Sequence, residues 1–290
     1  MKKILLLCLC MLMLSGCGSS DTADKNKLQV AASFYPMAEF AKAVGGDKVQ
    51  VTTMVPAGAE PHDWEPAPKD LTRLGRSKVF VYNGIVEPWA EQALTALSER
   101  NIMGVQAGDG LYECNGKQDP HIWLSPKKAI AEVERITDAF CAADKANADY
   151  YLANSKKYCA ELAALDKQLE QISASAKRKS FVTAHAAFGH LANDYGLRQL
   201  AIAGLSPEAE PTPADLQRLI NTVRREDVKY IFFETLSSPK IAKLLAEETG
   251  AQVSVLDPLE GLDEEGRKEN LTYIKIMQRN VSNLEKALNE

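Results

Sequence analysis

The chain reads as an α/β protein made of two lobes with parallel sheets, joined by one long rigid helix. Three observations predict this. β-rich runs alternate with helical runs through both halves, which favours parallel strands with helices packed on both faces. The alternation is interrupted once, in the middle. There, residues 148–176 contain no Gly or Pro and place Tyr151, Leu152, Tyr158, Leu162, Leu165, Leu169 and Ile172 at roughly helical spacing. At a rise of ~1.5 Å per residue this stretch spans on the order of 40 Å, enough for a strut that limits hinge opening. The expected units are residues 28–147, the connecting helix 148–176, and residues 177–290.

In the first lobe, residues 28–32 read as a strand and 34–44 as a helix closed by Gly45-Gly46. A strand at 49–55, a short helix at 68–74, a strand at 78–82 and a helix at 88–98 follow. Ser125-Pro126 predicts a helix start, with Ser as N-cap and Pro at the first helical position. In the second lobe the strand 180–183 leads into a helix over 186–195 that stops at Gly196, and 198–201 is a short strand. Thr212-Pro213 and Ser238-Pro239 predict two more capped helix starts, 229–233 and 252–256 are strands, and a helix closes the chain from Asn270. No residue-level self-similarity relates the lobes.

The first residues point to export. Lys2 and Lys3 precede an apolar run at 4–14, too short to span a bilayer but suited to the core of a secretory signal. Leu14-Ser15-Gly16-Cys17 then resembles the lipobox of bacterial lipoproteins. The resemblance implies a signal over residues 1–16, cleavage before Cys17 and acylation of that residue. Several acyl chains on one residue anchor a protein stably where one holds it only marginally. Residues 17–27, rich in Ser, Asp, Lys and Asn, read as a lipid-anchored flexible tether.

With 25% charged and 46% hydrophobic residues, the rest has an ordinary globular composition. A net charge of −5 argues against nucleic acid as a partner and for cations. After Cys8, Cys10 and Cys17, three cysteines remain: Cys114, Cys141 and Cys159. They allow one disulfide and one thiol, or three plain small residues, and none falls in a close-pair metal spacing.

Of the four histidines, three carry the chemistry. His62 lies in Gly58-Ala59-Glu60-Pro61-His62-Asp63-Trp64-Glu65-Pro66, directly after a strand. His121 lies in the Pro-framed Asp119-Pro120-His121-Ile122-Trp123-Leu124-Ser125-Pro126. His185 follows the strand 180–183 and is expected to open a helix. Ligands of open α/β sheets sit at the carboxyl ends of strands, where these loops belong. Flanking prolines restrict the backbone and reduce the entropy lost when an imidazole is fixed. Three neutral imidazoles and one carboxylate suit four-coordinate Zn²⁺. Asp257, Glu260 and Glu234, all near the ends of strands in the second lobe, are candidates for the carboxylate. His190, five residues after His185, points to another helix face and reads as structural.

At these residues the chain resembles the zinc-uptake branch of the cluster A-I (family 9) metal-binding lipoproteins of ABC importers. The matching stretches are 58–66, 119–126, 185–197, 204–211, 233–240 and 256–261, in order over nearly the whole mature chain. The resemblance implies two lobes with a metal held in the cleft between them and His62, His121 and His185 as imidazole ligands. Glu260 is the implied fourth ligand, with Asp257, the position used by manganese relatives, as alternative. It also implies Zn²⁺ as transported cargo, an ABC permease and its ATPase as partners, and a lipid-anchored monomer on the extracytoplasmic membrane face. Mn²⁺ or Fe²⁺ is the alternative cargo. Residues 104–118 lack the His-rich loop many zinc members carry, which removes a metal-gathering loop but not the core site.

Two other function classes compete. A zinc hydrolase keeps one coordination position open beside a general base; Glu60 and Glu65 flank His62, but no His-Glu-x-x-His pair is present. Adhesion is known among surface lipoproteins of this kind, and with no distinct adhesive module it is expected here only as a secondary property.

Overall fold

The computed structural model describes Asp24 and residues 26–207 and 211–290. The expected signal over residues 1–16, Cys17 and most of the expected tether lie outside the described residues. The first lobe runs β1 (Leu28–Ala32), α1 (Tyr35–Gly45), β2 (Val49–Thr53), α2 (Pro68–Leu74), β3 (Val79–Tyr82), α3 (Ala90–Ala96), β4 (Met103–Gln106), a hairpin of β5 (Glu113–Cys114) and β6 (Lys117–Gln118), and α4 (Pro126–Ala143). The connecting helix is α5 (Ala148–Ser175). The second lobe runs β7 (Ser180–Thr183), α6 (Gly189–Asp194), β8 (Arg198–Ala201), α7 (Pro213–Arg225), β9 (Tyr230–Phe233), α8 (Lys240–Thr249), β10 (Gln252–Val255), α9 (Glu264–Lys268) and α10 (Tyr273–Asn289).

Both sheets are four-stranded and parallel, ordered β2-β1-β3-β4 and β10-β9-β7-β8. Counted from the first strand of each lobe, both orders are 2-1-3-4, so the lobes share a topology that their residues do not advertise. The crossovers leave β1 and β7 in opposite directions, which opens a crevice at the carboxyl ends of the strands in each lobe.

One apolar core runs through both lobes. Phe34, Trp123 and Phe140 from the first belong to the same cluster as Phe181, Phe232, Leu256 and Tyr273 from the second, with Leu162, Leu165 and Leu169 of α5 between them. Two satellite clusters, around Phe80 and Trp89 and around Val182 and Ile231, are confined to one lobe each. The helix α5, 28 residues long, packs on α1, α4 and α10. Leu152, placed by spacing on its apolar stripe, is 52% exposed, and the buried face runs instead through Tyr151, Ser155, Tyr158 and Leu162.

Several element ends differ from the sequence expectation. The helix expected over 186–195 begins only at Gly189, so His185 stands in a loop. The cause is local: Thr183 Oγ1 donates to the His185 carbonyl and Ala186 N donates to the Gly204 carbonyl, which commits this backbone elsewhere. Ser125 precedes α4 as predicted, but its hydroxyl donates to Asp194 Oδ2 at 2.6 Å instead of capping the helix. A hydrogen bond to an ionised carboxylate is the stronger alternative. Thr212 does cap α7, whereas Pro239 rather than Ser238 occupies the N-cap of α8. Cys114, Cys141 and Cys159 are all free thiols.

Candidate metal centre

The loops after β2, β6, β7 and β10 bring four side chains to one point between the lobes. Nε2 of His62 lies 3.2 Å from Nε2 of His121, which lies 3.4 Å from Nε2 of His185. Glu260 Oε1 closes the group, 3.2 Å from His62, 3.4 Å from His121 and 3.2 Å from His185. Four donors bound tetrahedrally at ~2.0–2.1 Å, the usual Zn–N distance, are separated by about 3.3–3.4 Å. The five separations match those edges. His121, His185 and Glu260 are buried, while the His62 side chain keeps 12% exposure.

Two carboxylates aim two of the rings in the same way. Asp119 Oδ1 accepts from His121 N at 3.0 Å and Nδ1 at 2.7 Å. Glu234 Oε1 accepts from His185 N at 3.0 Å and Nδ1 at 2.7 Å. In the neutral rings the carboxylates keep the proton on Nδ1, so that each Nε2 then turns its lone pair to the centre, the arrangement that second carboxylates provide for ligating histidines. Glu234, weighed from sequence as a ligand, therefore stands behind one. Asp119 was not singled out at all, although the Asp-x-His spacing and the Glu at a strand end were both visible.

The loops are tied across the lobes. Trp123 Nε1 donates to the Pro258 carbonyl at 2.8 Å, and the Tyr273 hydroxyl donates to the Trp123 carbonyl at 2.5 Å. Leu259, just before Glu260, is fully buried with φ 57°, a left-handed conformation uncommon for a bulky residue. Asp257 holds that turn: its Oδ1 accepts from Leu259 N at 2.7 Å and its Oδ2 from Thr235 at 3.1 Å. Asp257 thus lies outside the four-donor group, and its carboxylate shapes the bend that delivers Glu260. Burial pushes the Asp257 carboxyl up to about 6, partly offset by the hydrogen bond from Leu259 N. His190 is buried away from the group, its Nε2 on the Asp119 carbonyl at 2.9 Å.

The electrostatics are those of a closed ionic cluster. Burial opposes charge on His121 and His185, but hydrogen bonds to Asp119 and Glu260, and to Glu234 and Glu260, outweigh it. His121 is raised, and His185 reaches about 10. Burial would raise Glu260, yet hydrogen bonds from His121, His185 and His62 hold it well below the carboxylate range. Glu60, on the His62 loop, is pushed up to about 7 by burial and by the charge on Glu260. A cation arriving at the four donors therefore displaces at least the His185 proton.

A family model described as zinc-uptake complex component A, periplasmic, matches residues 30–287. The chain belongs to this family. Among zinc-uptake component A relatives, the high-affinity zinc uptake system protein ZnuA of Bacillus subtilis is 40% identical over 96% of this chain and 95% of its own length. The zinc-binding lipoprotein AdcA of Streptococcus pneumoniae is 39% identical over 100% of the chain, which spans 62% of the length of AdcA. The crystal structure of the Zn(II)-bound ZnuA-like domain of AdcA superposes with TM-score 0.82 and 40% identity, covering 91% of this chain and 100% of that domain. The laminin-binding protein Lmb of Streptococcus agalactiae, described as having adhesin and metal-transporting activity, gives TM-score 0.84 at 33% identity over 90% of this chain and 100% of its own.

Proposed function

We propose that the chain captures one Zn²⁺ ion through Nε2 of His62, His121 and His185 and a carboxylate oxygen of Glu260, and delivers it to the permease and ATPase of an ABC importer. One observation carries this reading: four donor atoms from both lobes stand at tetrahedral spacing. Three imidazoles and one carboxylate favour Zn²⁺ over Mn²⁺, which prefers oxygen-rich octahedral sites. Four protein donors also fill a tetrahedron, leaving no position for the activated water a hydrolase needs, so the reading is of a carrier and not an enzyme. The cargo enters between residues 28–147 and 177–290, with 148–176 as a stiff connector, in a monomer held by lipid at Cys17 on the extracytoplasmic face of the membrane.

Isothermal titration of metal-free protein tests the site: Zn²⁺ should bind tightly at the first equivalent, and Mn²⁺ should fail to displace it. Elemental analysis of protein taken from its native envelope should find zinc. Manganese in that preparation, or Zn²⁺ affinity unaffected by His121→Ala, would overturn the proposal. Similarity to Lmb favours a second property, attachment to laminin. A chain carrying His185→Ala that still binds laminin would separate attachment from metal capture.

A further inference from the structure

Next to His121 lies a second set of ligand-type side chains that zinc capture does not use. Cys114 of β5, Asp119 and His190 of α6 bring a sulfur, a carboxylate oxygen and an imidazole nitrogen within 4.8 Å of one another, all from buried residues.

The atoms are disposed for binding. His190 Nε2 faces the Asp119 carbonyl at 2.9 Å, and a carbonyl only accepts, so the ring proton resides on Nε2. That leaves the lone pair on Nδ1, which is buried with no hydrogen-bond partner. A histidine whose one ring N–H is donated to a backbone carbonyl has the usual support of a metal ligand. Asp119 uses Oδ1 on His121, while its Oδ2 faces Gly189. A Cβ on Gly189 would stand 2.5 Å from Oδ2 and 3.6 Å from Cys114 Sγ, so the missing side chain leaves space beside both atoms. Cys114 sits in a two-strand hairpin whose Asn115 and Gly116 both have positive φ, and Asn115 Nδ2 donates to the sulfur at 3.7 Å.

We propose that Cys114, Asp119 and His190 form a second, weaker site for Zn²⁺ or a softer thiophilic divalent cation, sharing the Asp119 carboxylate with the capture site. Thiolate, imidazole and carboxylate together select such ions over Mg²⁺ or Ca²⁺. Binding replaces the Cys114 S–H bond by a sulfur–metal bond and releases the proton to solvent, with no change of oxidation state. Three protein donors leave one position to water, which makes the ion more exchangeable than one in a closed four-donor site.

The capture site contains no sulfur, so a thiolate-to-metal charge-transfer band that depends on Cys114 reports the second site. Full-length protein titrated with Co²⁺ should bind about two equivalents, with the band growing beyond the first. Cys114→Ser should remove the band and about one equivalent, leaving the affinity of the first unchanged. His190→Gln, which keeps a donor for the Asp119 carbonyl, should weaken the second equivalent at least about tenfold, in line with loss of one ligand. No band in the unaltered chain, or a band that persists in Cys114→Ser, would overturn the proposal. Failure of the capture site would show differently, as a first equivalent insensitive to His62→Ala.

Discussion

The loops bearing His121 and His185 differ in construction from the loop bearing His62. The first two rings are fully buried, and each is clasped through both backbone and ring by a single carboxylate oxygen. The His121 loop is further bound to Asn83 through the Pro120 carbonyl and to the second lobe through Trp123. At His62 the carboxylate contact is to the backbone, from His62 N to Glu60 Oε1 at 3.3 Å, and the ring reaches the surface. The site is thus a rigid three-donor wall of His121, His185 and Glu260, closed by one donor on the solvent side. Preorganised donors lose little freedom on binding, so affinity should reside mainly in the wall, and the rate of capture and release in His62.

The largest expected effect tests that division. If four ligands share the ~10–16 kcal/mol typical of a structural zinc site, losing one costs roughly 10²–10³-fold in affinity. His121→Ala and His185→Ala should fall at the upper end by competition with a chelating dye. His62→Ala should fall at the lower end and mainly speed dissociation, because water can take its place. A larger loss at His62 than at His121 would break the comparison. Next come the carboxylates behind the rings: Asp119→Asn and Glu234→Gln should each weaken Zn²⁺ by about 10–100-fold without removing a ligand. Asp257→Asn keeps an acceptor for Leu259 N and turns its amide N–H toward Thr235 Oγ1, so its affinity should stay within about threefold, as expected for a group outside the donor set. A loss matching that of Glu260→Gln would make Asp257 the fourth ligand.

Protonation sharpens the same contrast. The folded, metal-free chain holds a proton on His185 up to about pH 10, above the unfolded value of about 6.5. This proton's contribution to stability is complete below about 6.5 and disappears as pH rises through about 10. Zinc competes with it, so binding near pH 7.5 should release at least one proton, measured by calorimetry in buffers of different ionisation enthalpy. The zinc-induced rise in Tm should shrink toward pH 5. Zero net proton release would contradict the clasped state of His185. The smallest effect concerns shape: because one apolar core joins the lobes, the scattering radius should change by less than about 1 Å on zinc binding, far less than in a hinge closure.

Much of this was legible in the sequence because the signals were local. β-rich runs and Pro or Gly punctuation located most of the strands and helix starts, and loops after strands, two of them Pro-framed, located three histidines. What escaped depended on contacts distant along the chain. The strand β4 holds Met103 and Gly104 with little hydrophobic alternation, and it is defined by its pairing with β3. The β5–β6 hairpin did carry a local signal, Asn115-Gly116, the dipeptide that suits a two-residue turn with φ positive at both positions. Glu234 looked like a ligand because sequence shows a carboxylate at a strand end, not which atom it meets. Only the fold shows that His185 Nδ1 stands in between. The resemblance to the zinc branch favours Glu260 over Asp257, whereas the left-handed bend at Leu259 that sets the two carboxylates apart is announced by no residue-type preference.

The distance along the chain between the four donors has a consequence for when the protein becomes competent. His62 and Glu260 are separated by 198 positions, and the remaining donors come from two different loops between them. No fragment ending before residue 260 carries the complete set, and closing so long a loop needs both sheets and the core between them to have formed. A chain still emerging from the ribosome, or being threaded unfolded through a membrane, offers scattered imidazoles and no cage. Such a chain can pass through a zinc-containing compartment without carrying the ion along, and it takes up cargo only where it finishes folding.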